Sequence, residues 1–174
     1  MLESYVPDVY KKSIYEIDYL KLKNEGIKCI IFDLFNTLVS FSEKEPSNTL
    51  KLFIEELKNM GFKVIIMSNQ SKEKIEKFRN TLEVDACFLA NKPRREKYDK
   101  IMNIYNLLPE DIASIGDELY IDVRGANRLG IKSILVNSIA QTKEEQKFTD
   151  RVKENIISFL LTKRELFVRG RYYE

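Results

Sequence analysis

Five short apolar runs, each followed by a helical stretch, leave this chain few folds to choose from. Lys28–Phe32 (KCIIF) is rich in β-formers and shows continuous apolarity rather than alternation, and Lys63–Met67 (KVIIM), Val84–Leu89 (a weaker strand), Asp111–Ile115 and Ile131–Val136 follow it as strands. That pattern belongs to strands covered on both faces, as in a parallel sheet. Between them, Ser47 to Met60 and Ser71 to about Leu82 read as capped amphipathic helices, the first stopped by Gly61. A helix from about Arg95 to Tyr105 and a short one to Leu129, closed by Gly130, follow, and residues 143 to about 164 read as a last helix. Strands alternating with helices through short connections imply an α/β fold with a doubly wound, five-stranded parallel sheet.

One domain is expected over residues 1–174. Within it, residues 1–27 form an irregular arm with a short helix from Asp18 to Asn24, residues 28–136 the core, and residues 137–174 a C-terminal helix and tail. The tail KRELFVRGRYYE reads as a solvated or frayed end. Its basic and aromatic residues also allow a weak peripheral membrane contact, while no nucleic-acid partner is expected.

In open parallel sheets, ligands bind beyond the carboxyl ends of the strands. This chain delivers functional groups there in order: Asp33 after the first run, Ser68 after the second, Lys92 after the third, and Asp117 after the fourth, with Asp122 five residues on. Singly, each has an ordinary explanation as a cap, a turn residue or a solvated lysine. Jointly, at one edge, they form a coherent chemical set. Three carboxylates, Asp33, Asp117 and Asp122, repel one another unless a cation lies between them, and hard oxygen donors favour Mg²⁺. With Lys92 that cation holds a phosphoryl group beside Asp33, while Ser68, Thr37 and backbone amides donate to its oxygens. Asp33 is then a nucleophile able to form an aspartyl-phosphate.

The composition narrows the chemistry further. There is no histidine, which removes Ser-His-Asp and Cys-His catalysis and histidine-ligated zinc together. The chain is 44% apolar and 32% charged with a net charge of +2, as for a soluble globular protein. It has no apolar run near the roughly 18 residues of a membrane span and no signal-like start. Cys29 and Cys87 lack CxxC spacing and read as buried free thiols, so a cytoplasmic location is expected.

The segments DLFNTL from Asp33, VIIMSN closing on Ser68-Asn69, ANKP around Lys92 and GDELYID from Gly116 to Asp122 resemble the four motifs of the haloacid-dehalogenase-like (HAD) superfamily. The arm PDVYKKSIYEIDYLKLKNEGIKCIIFD and the segment GDELYIDVRGANRLGIKSILV resemble the YqeG-type branch of subclass IIIA, so the likeness spans about residues 5 to 136. It implies a Rossmannoid three-layer fold and a Mg²⁺-dependent phosphatase. Asp33, Lys92 and Ser68 would be catalytic, Thr37, Asn36 and Asn69 would bind phosphate, and Asp33, Asp117, Asp122 and the Phe35 carbonyl would hold the metal. Eukaryotic relatives of the branch are phosphatidylglycerophosphate phosphatases, which implies a phospholipid head group or another phosphorylated molecule as partner. Short connections, from Leu38 to Ser47 and from Met67 to Lys92, leave no room for a large cap domain, so an open site is expected.

The chain departs from the family at Phe35, where HAD phosphatases carry the aspartate that protonates the leaving oxygen and then activates water. Loss of such a group costs on the order of 10²–10⁴ in rate; Glu43 and Glu45 are the only acids close by in sequence. Three readings follow: a slow or specialised phosphatase, a degenerate member that binds Mg²⁺ and a phosphorylated ligand or a protein partner without turnover, or a dehalogenase. The last is the weakest, because a complete metal site serves no purpose in metal-free chemistry.

Overall fold

In the computed structural model, which describes residues 2–139 and 148–174, the strands form one parallel sheet in the order β1-β6-β5-β2-β3-β4. The strands are β1 (Val9–Lys11), β2 (Cys29–Phe32), β3 (Lys63–Met67), β4 (Asp85–Cys87), β5 (Ile112–Gly116) and β6 (Lys132–Val136). The helices are α1 (Tyr19–Asn24), α2 (Asn48–Asn59), α3 (Lys72–Leu82), α4 (Glu96–Tyr105), α5 (Arg124–Asn127) and α6 (Phe148–Lys163), with a π-helical turn at Leu119–Val123 before α5.

Alternation along the strands divides the core into two layers. Ile30, Phe32, Val64, Ile66, Ala113 and Ile115 pack with α2 (Leu50, Ile54, Leu57) and α3 (Ile75, Phe78, Leu82). Cys29, Ile31, Ile65, Met67 and Ile112 face the other way, onto Tyr98 and Ile101 of α4. Both faces of the central strands are therefore buried, as continuous apolar runs require. The expected caps form: Asp18 accepts from Lys21 N at 2.8 Å and Ser47 from Leu50 N at 3.2 Å.

The sheet has six strands rather than five. The extra one, β1, lies in the arm expected to be irregular and pairs parallel with β6, Val9 opposite Ile134. Asp8 locks its entry: its carboxylate accepts from Ser133 N at 2.8 Å, while Ser133 Oγ accepts from Asp8 N at 3.1 Å.

The tail is likewise ordered rather than frayed. Tyr173 and Tyr10 exchange backbone hydrogen bonds at 2.9 Å as an antiparallel bridge on the outer side of β1, which covers a sheet edge. Phe167 is buried with Tyr10, Leu119, Leu135, Ile157 and Leu161. Cys29 and Cys87 are free thiols, with Cys29 buried and Cys87 half-buried. The expected start of the last helix at residue 143 lies outside the described residues; from Phe148 the helix is present.

Candidate active site

Because every strand of the sheet runs the same way, their carboxyl ends share one edge, and the sequence-expected residues meet there. Asp33 follows β2, Ser68 follows β3, Lys92 lies five residues beyond β4 and Asp117 follows β5. An open cleft of about 190 Å³ at that edge is lined by Asp33, Phe35, Asn36, Ser68, Asn69, Lys92, Asp117 and, unforeseen, Glu118, Asp150 and the apolar Phe41 and Ile121.

Lys92 is the hub. Its Nζ donates to Asp33 Oδ1 at 2.7 Å and to Asp122 Oδ1 at 2.6 Å, all three side chains being largely buried. Asn69 grips the Lys92 backbone from both sides, Oδ1 accepting from Lys92 N at 2.7 Å and Nδ2 donating to Lys92 O at 3.3 Å. Its side chain therefore orients the lysine. Ser68 Oγ accepts from Gln70 N at 3.3 Å, which leaves its hydroxyl proton free to donate to a ligand.

The loop after Asp33 turns back tightly, with Leu38 N and Val39 N both donating to Leu34 O. Asn36 takes a positive φ of 66°, a conformation that asparagine tolerates better than most residues. Thr37 is buried behind the cleft, and its Oγ1 donates to Asp117 Oδ1 at 2.9 Å. Of the expected phosphate-binding residues, Asn36 and Asn69 thus line the cleft, while Thr37 braces Asp117. Asp122 stands behind Lys92 with both oxygens engaged, Oδ2 accepting from Glu118 N at 3.2 Å.

Charge is unbalanced here. Three carboxylates share one ammonium, and burial raises those nearest the cleft. Desolvation pushes Asp33 up to about 6 against the pull of Lys92. Desolvation and then the neighbouring Asp33 and Asp122 raise Asp117 to about 7, and desolvation followed by Asp117 and Asp122 raises Glu118 to about 9. For Lys92, burial works against the charge, but Asp122 and Asp33 outweigh it and hold the ammonium firmly protonated.

Among the described residues no three His, Cys, Asp or Glu side chains converge as a ready metal cluster. The donor set nonetheless fits a hard divalent cation. Asp117 Oδ2 is buried and has no hydrogen-bond partner, and so is Asn36 Oδ1. An unpaired carboxylate oxygen beside a second carboxylate is costly without a cation to face. Asp33, Asp117 and the Phe35 carbonyl would hold it, with water completing the shell.

Phe35 packs its ring 4.9 Å from Phe41 and 5.8 Å from Phe78, so the wall where the family carries an acid is apolar. Neither nearby acid replaces it. Glu43 Oε2 accepts from Ser40 N at 2.6 Å, Glu45 pairs with Lys77 at 3.0 Å, and neither lines the cleft. A further carboxylate, Glu154 of α6, belongs to no motif and anchors the loop beyond Asp117. It accepts from Leu119 N at 2.8 Å and Tyr120 N at 3.0 Å and pairs with Arg169 at 2.6 Å.

Comparisons with known proteins agree with this arrangement. The HAD-hydrolase-like family model matches residues 89–159. A protein of Bacillus subtilis (strain 168) named Probable phosphatase YqeG is 34% identical over 160 residues, covering 91% of this chain and 93% of that one. The deoxy-D-mannose-octulosonate 8-phosphate phosphatase of Haemophilus influenzae in its cobalt-bound form superposes with a TM-score of 0.53 at 17% identity, covering 84% of this chain and 93% of that one. The heptose 1,7-bisphosphate phosphatase of B. bronchiseptica with magnesium and phosphate gives 0.52 at 19% identity, covering 63% and 80%. The fold is that of the HAD class, and the chain belongs to its YqeG-type phosphatase branch.

Proposed function

We propose that the chain is a Mg²⁺-dependent phosphoric monoester hydrolase that works through an aspartyl-phosphate on Asp33. The observation that carries this reading is the Lys92 Nζ to Asp33 Oδ1 contact of 2.7 Å on the cleft floor, beside the unpartnered Asp117 Oδ2. Lys92 keeps Asp33 ionised and aimed, and its positive charge also offsets charge on the transferred phosphoryl oxygens. Ser68 donates a hydrogen bond to the same group, and Asn36, which also lines the cleft, does likewise. Thr37 and Asn69 hold Asp117 and Lys92 in position. Asp33 and Asp117 would hold Mg²⁺, which would supply charge neutralisation for the phosphoryl group.

The cleft is small and open, which suits a phosphomonoester whose bulk remains outside it. A phospholipid head group meets that requirement. α6, whose first turn lines the cleft, exposes Val152, Ile156, Phe159 and Leu160 along one side with Arg151 and Lys163 nearby. Such a face suits peripheral contact with an anionic bilayer. No helix among the described residues is long and apolar enough to cross a membrane. Two free thiols accord with a reducing, cytoplasmic setting.

Phe35 keeps a second reading open, in which the same scaffold binds Mg²⁺ and a phosphorylated ligand without turnover. Phosphate release from an aryl phosphate, measured with and without Mg²⁺ in the native protein and in Phe35→Asp, separates the two. Mg²⁺-dependent release by the native protein supports the enzyme. Silence from the native protein with release only in Phe35→Asp supports the binding scaffold. Sedimentation with phosphatidylglycerol vesicles tests the lipid contact, and equal recovery with neutral vesicles would count against it.

A further inference from the structure

We propose that Asp150, in the first turn of α6, is the general acid and base of this site, in the role that Phe35 leaves open; this rests on the phosphatase reading above. Asp150 lines the same cleft as Asp33 and Lys92, which lie on strand-end loops, but reaches it from a helix more than a hundred residues beyond Asp33. Its carboxylate is half-buried, with a side-chain exposure of 25%, and its ion-pair partner is Lys153 of the same helix at a loose 3.6 Å. The groups facing it across the cleft are Lys92, Asp33, Asp117 and Glu118.

The other acids have different employment. Asp33 is the nucleophile, Asp117 faces the metal, and Asp122 is tied to Lys92. Glu43 and Glu45 are turned to Ser40 and Lys77. Glu118 lines the cleft too, but it follows Asp117 directly on the metal-facing loop. An in-line displacement sends the leaving oxygen away from Asp33, out toward solvent. Asp150 lines the cleft and is more exposed than the buried Asp117 and Lys92, as a group that meets a departing oxygen and incoming water must be.

The steps balance with this residue alone. Asp33 attacks phosphorus and the phosphorus–oxygen bond to the leaving group breaks, while the Asp150 carboxyl gives its proton to that oxygen. In the second half, the Asp150 carboxylate takes a proton from water. The water oxygen bonds to phosphorus, the bond to Asp33 breaks, and inorganic phosphate leaves with both side chains restored.

The test is pre-steady-state hydrolysis of p-nitrophenyl phosphate with Mg²⁺ in native protein, Asp150→Asn, Glu118→Gln, and the double variant Asp150→Asn with Phe35→Asp. This leaving group needs little protonation, so Asp150→Asn is expected to keep the nitrophenol burst. Its steady turnover should fall by about 10²–10⁴, and the double variant should recover it because an acid again stands at position 35. Native-like turnover in Asp150→Asn would overturn the proposal, as would the same pattern arising in Glu118→Gln instead. A fall in Asp150→Asn that Phe35→Asp fails to restore would also overturn it. A native protein with no burst and no turnover would overturn the phosphatase reading itself, a separate and recognisable result.

Discussion

Gly116 and Asp122 compete for one space: a Cβ on Gly116 would lie 2.2 Å from Asp122 Cγ and Oδ2. The absence of a side chain at the end of β5 is therefore what lets the Asp122 carboxylate tuck under the strand and reach Lys92. Gly116→Ala is expected to push Asp122 off Lys92, with a stability loss of about 1–3 kcal/mol from overpacking. Mg²⁺-dependent phosphate release should fall at the same time. Thermal melting and phosphate release measure the two effects, and an alanine variant matching the native protein in both would contradict this geometry.

Lys92 neutralises two buried carboxylates at once, so its removal leaves both unpaired. Lys92→Met keeps the length of the side chain and removes the charge. It is expected to abolish phosphate release and to destabilise the fold by about 3–5 kcal/mol, the usual effect of breaking a buried pair on one side. Urea unfolding with an unchanged midpoint would show that the pair carries no such weight.

The raised carboxylates give the metal-free protein a defined pH response. Asp33, Asp117 and Glu118 stand at about 6, 7 and 9 in the fold, above their ordinary values of 3.8 and 4.5. The folded state therefore binds more protons than the unfolded state between those limits. Its stability is fullest below about pH 4 as far as these groups are concerned, and it is lost as pH rises through about 6 to 9. Mg²⁺, by binding the ionised forms, should stabilise most at the alkaline end. Melting temperatures from pH 5 to pH 9, with Mg²⁺ or with a chelator, check this. A Mg²⁺ shift that is flat with pH would contradict it.

The C-terminal tail carries weight that the sequence did not reveal. Phe167 is buried against Tyr10 at a ring separation of 5.1 Å, and Arg169 pairs with the Glu154 that anchors Leu119 and Tyr120. Phe167→Ala is expected to cost about 3–5 kcal/mol. Glu154→Gln, by contrast, should lower Mg²⁺-dependent phosphate release more than it lowers the melting temperature, because it loosens the loop that carries Asp117. Equal small effects on both would contradict that anchoring role.

The particular residues show which signals a sequence carries. The apolar runs ending in Asp33, Ser68 and Asp117 were legible because strand burial and a strand-end polar residue are local patterns, and four of the five expected strands coincide with the observed ones to within a residue at either end. The strand Val9–Lys11 was not, since three residues carry no period and its pairing is with Ile134 and its neighbours far along the chain. The bridge between Tyr10 and Tyr173 joins the two ends of the chain and leaves no local trace. Lys92 and Asp122 were expected at the site, but their mutual contact was not, because it depends on how the loop carrying Lys92 meets the π-helical turn carrying Asp122. Asp150 and Glu154 sit on a helix whose direction relative to the cleft only the folded packing fixes.

The most direct test of the central claim is acid quenching during turnover of acetyl phosphate with Mg²⁺, followed by mass analysis of the intact chain and its peptides. Acid quenching stops turnover and preserves an acyl phosphate, so the aspartyl-phosphate present during turnover should be caught. The expected result is one added phosphoryl group on the peptide containing Asp33, labile to hydroxylamine and absent in Asp33→Asn. Phosphate release that continues in Asp33→Asn, or an adduct that persists in that variant, would contradict the account.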